Sequence, residues 1–81
     1  MNVDVILPAI GHTYEFELND DKMFGAVIEE IVEMVSQKEH CAFEAKASEL
    51  ILLHRESKRI LNSYQTLEQS GVSNSDTLIL V

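Results

Sequence analysis

At 81 residues and 9.2 kDa the chain has material for one hydrophobic core and not two, so it reads as a single domain spanning residues 1–81 with no room for a multi-site enzyme. Hydrophobic residues make up 46% and charged residues 25%, with 3 glycines and 1 proline, which excludes a disordered or collagen-like chain. Fourteen acidic side chains against six basic ones leave a formal net charge of -8, a field that repels phosphate backbones and anionic headgroups, so neither nucleic acid nor a membrane surface is an expected partner. The single Cys41 has no intramolecular disulfide partner, as expected of a reducing compartment. No apolar run is long enough to span a bilayer, and Met1-Asn2-Val3-Asp4 opens no secretory signal. The expected location is cytoplasmic.

Val3, Val5 and Leu7 alternate with Asp4 and Ile6, which predicts a strand with two distinct faces that stops at Pro8. A turn containing Gly11 leads into Tyr14, Phe16 and Leu18, alternating with Glu15 and Glu17, and the short connection implies an antiparallel hairpin. Asn19, Asp20 and Asp21 are N-cap candidates for a helix starting near Lys22. Along that helix Phe24, Val27, Ile28, Ile31, Met34 and Val35 form one stripe, with Glu29, Glu30, Glu33 and Gln37 opposite. Residues 36–49 either extend this helix or form a second short one. Residues 50–53 are continuously apolar and predict a buried strand, followed by the charged turn His54-Arg55-Glu56-Ser57-Lys58-Arg59 and a short return strand at Ile60-Leu61. One helical turn beginning at Thr66-Leu67 ends near Gly71, and Thr77-Leu78-Ile79-Leu80-Val81 forms a last strand.

That order, with Leu61, Thr66-Leu67, Gly71-Val72, Asp76-Thr77-Leu78 and Leu80, resembles the ubiquitin-like β-grasp family, most closely over residues 60–81. The resemblance implies an α+β fold: a mixed sheet of four to five strands with one main helix packed on one face. Within the family the chain is most similar to the YukD/EsaB-like bacterial ubiquitin-like proteins associated with type VII secretion. This implies a cytosolic accessory or regulatory component of such a system, with a secretion-system component as its protein partner. Ubiquitin and the sulfur carriers act through a flexible C-terminal Gly-Gly, whereas this sequence ends at β-branched Val81. An activated carrier or modifier is therefore the less favoured reading.

Candidate chemistry is sparse. His40 and Cys41 are neighbours, and neighbouring side chains diverge in helix and strand alike, so they make a poor thiolate–imidazole pair. His12, His40 and His54 share no ligand spacing with Cys41 or with each other, so no metal is expected. Glu29, Glu30 and Glu33 read as a solvated helix face, and the scattered Gly11, Gly25 and Gly71 make no phosphate loop. Neither an enzyme nor a cofactor is expected.

Two surface features remain. Residues 1–37 carry eight acids and one base while residues 38–81 carry six acids and five bases, so Arg55, Lys58 and Arg59 stand out as a basic turn. A partner is able to use that dipole for orientation, although charged turns also simply keep a sheet edge soluble. Strand parity is more specific: if Val3, Val5, Leu7, Leu78 and Leu80 face the helix, Ile6, Ile79 and Val81 face away from it. The family's strand order brings one of the pairs Leu50/Leu52 or Ile51/Leu53 to this outer side, and the resemblance favours Ile51 and Leu53, where ubiquitin has its recognition surface. The expected protein-binding set is therefore Ile6, Ile51, Leu53, Ile79 and Val81, with Arg55, Lys58 and Arg59 beside it. A homo-oligomer burying the same patch on itself is the alternative use.

Overall fold

In the computed structural model, which describes residues 1–39 and 49–81, the elements run β1 (Asn2–Leu7), β2 (His12–Glu17), α1 (Phe24–Glu39), β3 (Leu52–His54), β4 (Arg59–Leu61), α2 (Leu67–Ser70) and β5 (Thr77–Leu80). The five strands form one sheet in the order β2-β1-β5-β3-β4. β1 and β5 are parallel central neighbours, and every other pairing is antiparallel. The expected mixed sheet with one main helix is thus the observed architecture.

Alternation drives the hairpin. Val3, Val5 and Leu7 of β1 are buried and line up with Phe16, Tyr14 and His12 of β2. Gly11, at φ 67, closes the turn by donating its N–H to the Leu7 carbonyl at 3.0 Å, a backbone conformation for which a side chain would be strained.

The start of α1 departs from the expectation built on Asn19, Asp20 and Asp21. These residues turn instead: the Lys22 N–H reaches the Asn19 carbonyl at 3.3 Å, and the Asp20 carbonyl accepts from the Glu68 N–H at 3.2 Å. Met23 forms an isolated bridge with Thr66, and α1 begins at Phe24. Its first N–H groups, those of Phe24 and Gly25, donate to the carbonyls of Gln65 at 2.9 Å and Ser63 at 3.0 Å. Helix ends need their orphan donors satisfied, and here a distant chain segment does so in place of a local side-chain cap.

Phe24, Val27, Ile28, Ile31 and Val35 of α1 are buried with Val3, Val5, Leu7, Leu52, Leu78 and Leu80 of the sheet in one core cluster. Met34 is a correction to the apolar stripe: it is 43% exposed, because it lies about 80° from the stripe's centre, beyond the reach of the sheet. Glu29, Glu30 and Glu33 are exposed as expected. α1 continues through Glu39, so part of the open stretch is helical; residues 40–48, with His40 and Cys41, lie outside the described residues.

The predicted turn after residue 66 is α2. Thr66 and Gln69 form a capping box, with the Gln69 N–H donating to the Thr66 hydroxyl and the Thr66 N–H to the Gln69 side chain, and Gly71 ends the turn at φ 80. The boundary at β3 shifts toward the C-terminus. β3 includes His54, which sequence reading assigned to the charged turn, and that imidazole is only 4% exposed. Among the described residues no helix is long and apolar enough to cross a membrane.

Candidate protein-interaction surface

The register of the sheet assembles the side that faces away from α1 residue by residue. Ile6 pairs with Ile79, Ile79 with Leu53, and Leu53 with Ile60. Directly opposed residues on one face have Cβ atoms about 5 Å apart, so these four side chains form a continuous apolar row across β1, β5, β3 and β4. A second rung follows: Ile51 and Val81 exchange backbone hydrogen bonds of 2.8 and 3.0 Å, which places them beside the row. Ile51 is 41% and Val81 46% exposed, while Ile6, Leu53 and Ile79 are half-buried among one another. The parity that turns Leu52, Leu78 and Leu80 into the core turns their neighbours outward.

Similarity to known proteins is confined to structure. The sequence matches no protein-family model and no curated protein. Caldiarchaeum subterraneum ubiquitin superimposes with a TM-score of 0.74 at 23% identity, covering 99% of this chain and 89% of that one. The ubiquitin-like domain of an Arabidopsis thaliana protein gives a TM-score of 0.74 at 15% identity, over 100% of this chain and 74% of that one. A chain in the crystal structure of ATBAG1 in complex with HSP70 gives 0.71 at 16% identity, over 100% of this chain and 39% of that one. This chain has the ubiquitin-like β-grasp fold.

In this ubiquitin-like sheet all five apolar residues singled out from the sequence lie together on the face opposite α1. Sequence reading missed Ile60, which is 65% exposed and ends the row on edge strand β4. The signal lies in the alternation of Ile60 with the buried Leu61 along the short return strand.

The basic turn divides. Arg55 follows His54 by one residue and donates its N–H to the Thr77 carbonyl at 3.0 Å, so the parity of Leu53 carries it to the apolar side. Arg59 pairs with His54 and therefore has the opposite parity, on the side of α1. Lys58 sits in the turn between them at φ 57. The three cations are near one another along the chain, and the strand reversal sends two of them to different faces. Across the sheet, Asp4 pairs with Glu15 and Thr77, so the outer face runs from an acidic side at β2 and β1 to Arg55 beyond β3.

A second polar cluster closes the end of β3. The His54 Nε2 lies 2.8 Å from Asp76 Oδ2 and 3.6 Å from Glu56 Oε1, and its Nδ1 lies 2.7 Å from Ser57 Oγ. Asp76 also accepts from the Ser73 N–H at 2.8 Å, and both Glu56 oxygens accept from the Thr77 N–H at 3.1 Å. The Ser73 N–H, then the His54 hydrogen bond, hold the Asp76 carboxyl below the usual carboxylate range. Sequence inspection for histidine ligand spacing passed over this group because Asp76 is 22 residues from His54 and only the pairing of β3 with β5 brings them together.

Proposed function

We propose that this chain is a non-enzymatic protein-interaction module that binds a protein partner through the outer face of its sheet. The observation that carries this is the row Ile6–Ile79–Leu53–Ile60, with Ile51 and Val81 beside it: α1 packs on the other face, and aliphatic side chains clustered on a face that no other described element packs on mark a docking surface. Arg55 lies on the side of the apolar row and sets the partner's orientation, with Lys58 in the adjoining turn, whereas Arg59 faces away and is left out. ATBAG1, with a chain of like fold in its crystal structure, was solved in complex with HSP70, which supports recognition of proteins by this architecture. The finer reading, which rests on the resemblance of the short chain as a whole to the YukD/EsaB-like proteins, is a cytosolic accessory or regulatory component of a bacterial type VII secretion-like system, with a component of that system as the partner.

The test is Ile79→Asp, which puts a charge at the middle of the row. Wild type should capture a secretion-system component from the native host, and the variant should lose it while still melting cooperatively. Undiminished capture by the variant would remove the outer face as the binding surface. Capture of a partner unrelated to secretion would keep the interaction module and discard the secretion role.

A further inference from the structure

We propose that His54, Glu56 and Asp76 form a binding site for a divalent transition-metal ion of the Zn²⁺ type, with water completing its coordination. One ligand atom from each residue lies within 4.8 Å of the others. The donor set is one imidazole nitrogen and two carboxylate oxygens, hard-to-borderline ligands that Zn²⁺ takes at about 2.0–2.2 Å. Ligands at that range around a tetrahedral ion stand about 3.4 Å apart, and the observed separations of 2.8 Å from Nε2 to Asp76 and 3.6 Å from Nε2 to Glu56 bracket that value.

Three further features suit the site to an ion. The ligands come from three places in the chain, the end of β3, the following turn and the residue before β5, so an ion there clips the end of β3 to the start of β5. Each ligand is already held by a hydrogen bond: Nδ1 of His54 lies against the Ser57 hydroxyl, the Glu56 carboxylate accepts from the Thr77 N–H, and the Asp76 Oδ2 that faces His54 accepts from the Ser73 N–H. Such outer partners are what fix a ligand's direction toward a metal. Finally, Nε2 must shed its proton to ligate. The Ser57 hydroxyl both donates and accepts, so in the neutral ring the proton moves to Nδ1 and stays hydrogen-bonded; a charged ring instead releases one proton to solvent. The imidazole is buried, but the Glu56 side chain is 39% and the Asp76 side chain 18% exposed, which leaves an open approach on the carboxylate side.

Titration of the full chain with ZnCl₂, followed by calorimetry and by the ¹⁵N resonances of the histidine rings, tests this. The expected result is saturable one-to-one binding with a large shift at Nε2 of His54. Glu56→Gln keeps an acceptor for the Thr77 N–H and the same shape, so it should melt like wild type yet bind Zn²⁺ at least about tenfold more weakly. Asp76→Asn should weaken binding similarly. A His54 ring whose resonances stay fixed up to about 1 mM ZnCl₂, the weak end of specific affinity, would overturn the proposal. So would shifts confined to His12 or His40, or unchanged affinity in Glu56→Gln.

Discussion

The two faces of the sheet are built from the same residue types and do opposite things. In β5, Leu78 and Leu80 are buried against α1, and Ile79 between them opens to the other side. In β3, Leu52 is fully buried while Leu53 is half-exposed. Hydrophobicity therefore does not separate core from surface in this protein. What separates them is which side of the sheet α1 occupies, a property of position along the strand and not of side-chain chemistry.

Removing matched side chains from the two faces is the sharpest way to break this comparison. Leu78→Ala leaves a void in a fully buried position and should cost about 3 kcal/mol, read as a large fall in the urea midpoint, whereas Ile79→Ala should cost about 1 kcal/mol or less while weakening partner binding. Equal losses at the two positions would show that both faces are core.

The polar cluster at the end of β3 comes next in size. Asp76→Ala leaves one side of the buried His54 ring without its partner, and should cost about 1–2 kcal/mol. Its pH dependence follows from the lowered carboxyl: the unfolded chain takes up the Asp76 proton first, so this stabilisation is fully present above about pH 4 and is lost as acidity increases through the folded value. Acid titration of stability in chelator-treated protein should show that loss in wild type and a shallower one in Asp76→Asn.

Smaller still is Gly71→Ala. Nothing lies within 4 Å of the added carbon, so the expected cost of about 1 kcal/mol is the backbone strain of a left-handed conformation alone, measurable by chemical denaturation. Ile60→Ser should be the mildest, within about 0.5 kcal/mol of wild type, because the side chain is already 65% exposed. A loss of partner affinity without loss of stability would extend the docking row to edge strand β4.

Local pattern was enough to read most of this fold. Val3-Asp4-Val5-Ile6-Leu7 announces a two-faced strand, the stripe from Phe24 to Val35 announces a helix packed along one side, and Thr66 with Gly71 announces a single capped turn, since each rests on interactions within a few residues. The outer-face residues Ile6 and Ile79 were legible for the same reason, as period two converts one known face into the other. The errors are equally informative. Asn19, Asp20 and Asp21 have the chemistry of caps, but Ser63 and Gln65 arrive from elsewhere in the chain and take the helix donors. Met34 is apolar and lies near the stripe, yet its place about 80° from the stripe's centre leaves it exposed.

By itself the sequence determined alternation, periodicity and capping, because a side chain's direction in a strand or helix is set by backbone geometry a few residues long. Only the tertiary structure decided which strands stand side by side. That choice set Ile6, Ile79, Leu53 and Ile60 in one row, split Arg55 from Arg59, and brought Asp76 to His54. Strand pairing joins residues far apart in the chain through backbone hydrogen bonds available to almost any side chain, and so leaves little local trace in the residues it brings together.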